Sequence, residues 1–209
     1  MGKQKPVQYS SKRALDLSLA LAALLFAAPL FLTIALLIRL SGKGRILYVD
    51  RRLGLGGEPL DVLKFRTMDD DADLRLDSAL SSSPDNPSQW AERRKMENDP
   101  RVTRLGRFLR RSSLDELPQL LNVLKGDMSL VGPRPIRAAE VAKYGDKYEI
   151  LKKALPGMTG LWQVSGRSEL PYSRRVELDA FYVEHLSLAL DLKILARTIP
   201  EVLRGRGAF

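Results

Sequence analysis

From Leu17 to Ile38 the chain runs 22 residues without a charged side chain, and no other feature constrains its fold so strongly. At about 1.5 Å of rise per residue the run makes a helix about 33 Å long, enough for a hydrocarbon core of about 30 Å. It is long for the apolar part of a cleaved leader. The segment that follows, Arg39-Leu-Ser-Gly-Lys-Gly-Arg45, is basic rather than a small-residue cleavage site. The expectation is a helix that enters a membrane and is kept.

Charge predicts how it enters. Lys3, Lys5, Lys12 and Arg13 flank one end, and Arg39, Lys43, Arg45, Arg51 and Arg52 flank the other. Basic flanks favour the cytoplasmic side, so a straight crossing strands one cluster outside. A re-entrant helix keeps both among anionic headgroups, at about 1 kcal/mol per charge. Pro29 sits near the middle, where it removes a backbone donor and crowds the carbonyl of Leu25. A bend is expected there, with a crossing helix and a tolerated proline as the alternative.

The rest reads as a folded, mainly helical α+β protein. Hydrophobic residues make up 44% and charged residues 28% of 209, which suits one compact domain plus an appendage. The expected division is a membrane-associated part, 1–44, and a globular part, 45–209. Residues 1–52 hold nine Lys/Arg against Asp16 and Asp50, and the remaining 157 hold 25 against 23 Asp/Glu. Basicity therefore belongs to the membrane segment, and no nucleic-acid partner is expected. With no Cys and a lone His185, thiolate or His-rich metal sites are excluded and His185 is read as structural.

Arg45–Arg51 and Pro59–Arg66 read as two strands of a hairpin around Gly54, Gly56 and Gly57. The polar stretch 69–98 predicts two short helices around a loop at Ser81–Pro87. Leu105–Leu124 reads as helix interrupted near Ser112–Pro118. Val131–Pro135 and Pro156–Gly160 are rich in breakers and predict ordered loops. Val176–Leu203 predicts one helix, packed in the core or lying on the membrane surface.

The stretch Arg110-Arg-Ser-Ser-Leu-Asp-Glu-Leu-Pro-Gln119 has two readings. In one, Ser113 and Glu116 form a capping box and both acids merely favour a helix start. In the other, the same helix end and the two arginines receive phosphate. Adjacent carboxylates splay around the helix, so one attacks while the other holds a divalent cation. Asp69-Asp-Asp-Ala-Asp73 is a rival acidic cluster, resembling the metal triplet of nucleotide-sugar glycosyltransferases. Gly132-Pro-Arg-Pro135 and Gly160–Arg167 each hold an Arg on a turn, and Trp162 either packs in the core or faces a ligand.

These motifs resemble one family, the bacterial sugar transferases or monotopic phosphoglycosyl transferases. The resemblance is carried by Lys12-Arg-Ala-Leu-Asp16, Arg52-Leu-Gly54, Lys64-Phe-Arg-Thr-Met68, Ser113–Gln119, Asn122–Pro135, Pro156–Gly160 and Gly166-Arg167. It implies a re-entrant helix at the cytoplasmic face of the bacterial inner membrane, with helices at the interface. It implies transfer of hexose-1-phosphate, galactose or glucose, from a UDP-sugar to undecaprenyl phosphate, releasing UMP, in surface exopolysaccharide or lipopolysaccharide synthesis. Asp115 matches the family's nucleophile and Glu116 its Mg²⁺ ligand. Lys64, Arg66, Arg110, Arg134 and Arg167 fall in motifs that bind phosphates and nucleotide. Ala28 stands where some members place Ser before the membrane proline, so the carbonyl that Pro29 frees must be satisfied otherwise. A homodimer is allowed.

Overall fold

The computed structural model describes residues 5–42, 44–68, 99, 101–166 and 170–204, with side chains through Glu201. Helix α1 (Lys12–Leu40) is followed by the hairpin β1 (Leu47–Leu53) and β2 (Pro59–Phe65), then α2 (Arg104–Arg111) and α3 (Gln119–Lys125). Strand β3 (Ser129–Val131), two single-turn helices (Val141–Tyr144 and Tyr148–Leu151), β4 (Gly157–Thr159), α4 (Tyr172–Glu184) and α5 (Leu188–Arg204) complete it. The fold is α+β and mainly helical. The helices expected within 69–98, the Asp69–Asp73 cluster and Arg167 lie outside the described residues.

The expected hairpin forms, with β1 shifted two residues along from Arg45–Arg51, Asp50 opposite Val62 and Leu53 opposite Pro59. Three expectations need correction. Pro156–Gly160 is not all loop, because β4 pairs in parallel with β3, Ser129 opposite Gly157 and Val131 opposite Thr159. The glycines that read as breakers allow this pairing: a Cβ on Gly132 would stand 2.5 Å from the Leu155 carbonyl oxygen. The helix expected over Val176–Leu203 is two helices. The Ser187 Oγ accepts from the Leu190 N–H at 3.3 Å, starting α5 afresh. Finally, Ser113 caps nothing. It sits at φ 57° with no side-chain cap, before a 3₁₀ turn over Leu114–Glu116.

Helix α1 is continuous through Pro29 and is held to the globular body at both ends. Toward its start, Ala20 and Leu24 join the main core with Val123, Met128, Tyr182 and Ile194. Toward its end, Phe31, Ile34, Ala35 and Ile38 join a second cluster with Phe65 and Leu109. Leu21, Leu25, Phe26, Leu32, Leu36 and Leu40 are exposed. By length and composition the helix can cross a membrane.

Two basic residues expected at headgroups are engaged inside the protein. Lys12 is buried and its Nζ meets Asp191 Oδ2 at 2.5 Å. Tyr9 and Tyr182 hydroxyls donate to the same carboxylate. The Arg13 guanidinium donates to the carbonyls of Val123 and Leu124 at 2.6 and 2.9 Å, at the end of α3 where the Gly126 N–H also reaches Val123. The first turns of α1 dock on α3 and α5, so these cations face protein. Lys5, Arg39, Arg45 and Arg51 are exposed.

Candidate active site

The site is laid out on one face of the hairpin. Side chains alternate along a strand, so Tyr48, Asp50 and Arg52 share a face with Lys64, opposite Tyr48 on β2. Asn122 of α3 pins the next layer to the β2 backbone. Its Oδ1 accepts from the Leu63 N–H at 3.0 Å and its Nδ2 donates to the Asp61 carbonyl at 2.8 Å. The turn before α3 is thereby set over Lys64. The left-handed Ser113 reverses the chain after α2, where Ser112 donates to the Phe108 carbonyl at 2.8 Å. Asp115 and Glu116 sit in that turn.

Lys64 Nζ donates to Glu116 Oε1 at 2.8 Å. Arg110, on the last turn of α2, donates through Nε to Thr67 Oγ1 at 3.0 Å, and its charge acts on Asp115. Burial raises Asp115 most, the Glu116 charge raises it further, and Lys64 and Arg110 oppose both. Its pKa is pushed up to about 6. Asp115 is thus a carboxylate at neutral pH with a loosened hold on its charge, a state suited to a group that gives up charge on reaction.

The loop after β3 brings Arg134 within reach of the Glu116 charge. Arg52 donates to the Pro135 carbonyl at 3.4 Å and pairs with Asp50 at 2.5 Å. Among the described residues Arg134 carries no carboxylate bridge and its buried Nε has no partner; its guanidinium lies 5.7 Å from the Trp162 ring centre. Burial and the nearby charges of Arg175 and Arg52 disfavour its charged form, while Glu116 and Glu140 support it. Trp162, 8% exposed, therefore packs in the core and also faces these guanidinium groups.

Lys64, Arg110, Arg134, Asp115 and Glu116 are drawn together. Arg66 is placed differently: its Nη2 donates to the Ile38 carbonyl at 3.3 Å, tying the hairpin to the end of α1. Asp50, Arg52, Glu140 and Arg175 were not selected from the sequence as site residues. The sequence places Arg52 both on the basic flank and in the Arg52-Leu-Gly54 motif; its side chain is 9% exposed and paired inside the site. The Tyr48-Asp50-Arg52 alternation on a strand facing Lys64 was the signal for it. His185 closes α4, its ring stacked on Phe181 with centroids 4.0 Å apart, as a structural histidine does.

The chain matches known proteins over nearly its whole length. Residues 7–205 match the family model described as bacterial sugar transferase. The chain is 44% identical over its whole length, and over 92% of the relative, to the exopolysaccharide production protein ExoY of Sinorhizobium fredii. It is 43% identical over 95% of its length to the undecaprenyl-phosphate galactose phosphotransferase of Salmonella typhimurium, spanning 41% of that protein. The undecaprenyl-phosphate glucose phosphotransferase of Komagataeibacter xylinus is 40% identical over 95% of the chain and 37% of its own length. The chain belongs to the bacterial sugar transferase family.

Proposed function

We propose that this protein transfers a hexose-1-phosphate from a UDP-sugar to a polyprenyl phosphate at the cytoplasmic face of a bacterial membrane. The names of the relatives support the reaction class. The observation that carries the chemistry is Asp115, a carboxylate raised to about 6 beside a Glu116 held by Lys64. Asp115 attacks the sugar-bearing phosphorus, the bond from that phosphorus to the bridging oxygen breaks, and UMP leaves with that oxygen. An oxygen of the polyprenyl phosphate then attacks the same phosphorus, and Asp115 departs as carboxylate. One transfer between anions becomes two, each eased by cations set in advance.

Mg²⁺ fits this donor set. It is commonly held by one or two carboxylates together with substrate phosphate oxygens and water, so Glu116 suffices although no group of three His, Cys, Asp or Glu converges among the described residues. When bound there, the cation would neutralise diphosphate charge. Arg110 and Lys64 hold the reacting phosphate near Asp115, and Arg134 stands within reach of the Glu116 charge. Arg167 follows the Trp162 turn in sequence and is assigned to the nucleotide by motif.

A returning α1 is supported by its two anchored ends. One globular body holds both, while the apolar side between Leu21 and Leu36 stays exposed. Exposed Lys5, Arg39, Arg45 and Arg51 supply the headgroup contacts. The test is incubation of the full chain in lipid with UDP-galactose, UDP-glucose and other UDP-sugars, Mg²⁺ and undecaprenyl phosphate. UMP is the expected nucleotide product, and UDP would indicate a glycosyltransferase instead.

A further inference from the structure

The buried side-chain polar atoms without a hydrogen-bond partner among the described residues fall on five side chains: Arg134, Trp162, Gln163, Arg175 and Asp179. Buried polar groups are normally paired, and a concentration of exceptions marks a place with a use. Four of the six atoms are N–H donors: Arg134 Nε, Trp162 Nε1, and Arg175 Nε and Nη2. Arg175 stacks 4.6 Å from the Trp162 ring centre and 5.0 Å from that of Tyr172, a brace that fixes its fork. Its Nη2 lies 3.7 Å from the Glu140 carboxylate, which also lies 3.7 Å from Arg52. Glu140 Oε1 accepts from Tyr172 and Oε2 from the Arg137 N–H. One acid thus serves several cations.

We infer that Arg175 is a phosphate ligand for the sugar donor, and that with Arg134 and Trp162 it receives the phosphate that leaves as nucleoside monophosphate. The inference rests on the function proposed above. Direction decides which phosphate it takes. The charges acting on Asp115 are those of Glu116, Lys64 and Arg110, whereas Arg134 answers to Arg175, Arg52, Glu116 and Glu140. Glu116 is the acid common to the two groups, bonded to Lys64 in the first. In phosphoryl transfer the nucleophile and leaving oxygen lie roughly in line across phosphorus, so a nucleophile among the first sends its leaving oxygen toward the second. Four donors, set against Glu140, which is shared with Arg52, and the buried Asp179, suit an oxyanion better than a neutral base.

The test measures binding of UMP, uridine and a short-chain polyprenyl phosphate to the full chain in detergent, for wild type, Arg175→Gln, Arg175→Lys and Trp162→Phe. Thermal unfolding reports folding. Arg175→Gln is expected to weaken UMP at least tenfold and uridine less than twofold, and Arg175→Lys to recover part of the loss. Trp162→Phe keeps an aromatic face for Arg175, loses one donor and should cost UMP about threefold. UMP affinity within twofold of wild type in both Arg175 variants overturns the inference, as does an equal loss for UMP and uridine. A loss confined to polyprenyl phosphate assigns Arg175 to the acceptor and overturns it too. Wild-type protein that releases no UMP from any UDP-sugar fails differently, because it defeats the underlying function.

Discussion

Two buried charged regions lie on either side of β3, and they are built oppositely. Beneath α1, Asp191 is matched by Lys12 and two tyrosine hydroxyls, Asp16 accepts from the Leu130 N–H at 3.0 Å, and Arg13 closes the end of α3. Between the hairpin and the 132–135 loop, guanidinium groups crowd together, several donors lack partners among the described residues, and Asp115 holds its charge against burial. The first region spends its charges on holding α1 in place. The second keeps them for something that arrives. Polar groups fully satisfied within the fold rigidify it, while those left unsatisfied lower stability and raise affinity for a ligand that completes them.

Breaking the second region at its centre should have the largest effect. Asp115→Asn is expected to lower UMP formation by at least about a thousandfold, the scale for losing a nucleophile, without lowering thermal stability at pH 8. The sign follows from the raised pKa. Between the ordinary 3.8 and about 6 the folded protein holds a proton that the unfolded chain releases, so stability falls as pH rises through that window. The substitution removes this slope, and unfolding scans from pH 4 to 8 measure it.

Breaking the first region should cost stability. Lys12→Met leaves Asp191 buried with hydroxyls alone, and loss of one partner of a buried pair costs about 3–5 kcal/mol. Adding Asp191→Asn should restore part of this, as read by unfolding of the single and double variants. A Lys12→Met protein as stable as wild type would erase the contrast between the regions.

Lys64→Met sharpens the comparison. Lys64 lowers the Asp115 pKa, so its loss should move the acid limb of the activity profile above about 6 and reduce turnover about a hundredfold. A limb that stays in place would separate Lys64 from Asp115. The smallest effect is expected at the exposed rim. Arg39→Gln and Arg45→Gln should each weaken binding to anionic vesicles about fivefold, the equivalent of about 1 kcal/mol per charge, with no change on neutral vesicles.

The sequence made some of this legible because local signals agreed with tertiary demands. The strand-like segments 45–51 and 59–66 around their glycines and the break between α2 and α3 are local properties, and both elements form, the first strand shifted to Leu47–Leu53. Pro156–Gly160 misled because small residues at a close backbone approach look like those of a loop, and only the parallel partner 129–131 distinguishes them. Ser113-x-x-Glu116 fits a capping box in sequence, but the chain reversal between α2 and α3 puts Ser113 in a left-handed conformation instead. Lys12, Arg13 and Arg52 were placed on the membrane flanks because charge near an apolar segment gives no direction. Their partners, Asp191, the end of α3 and Asp50, are fixed only by the fold. Arg175 had no motif, and its environment comes from Trp162, Tyr172 and Glu140, each on a different element.

The account stands on Asp115 becoming joined to phosphorus. The direct measurement is intact-protein mass spectrometry after brief exposure of the full chain to UDP-sugar and Mg²⁺ without lipid acceptor, followed by peptide mapping. The predicted result is a hexose-phosphate adduct on the peptide containing Asp115, absent in Asp115→Asn and discharged when polyprenyl phosphate is added. Continued product formation with no adduct at that carboxylate would contradict it.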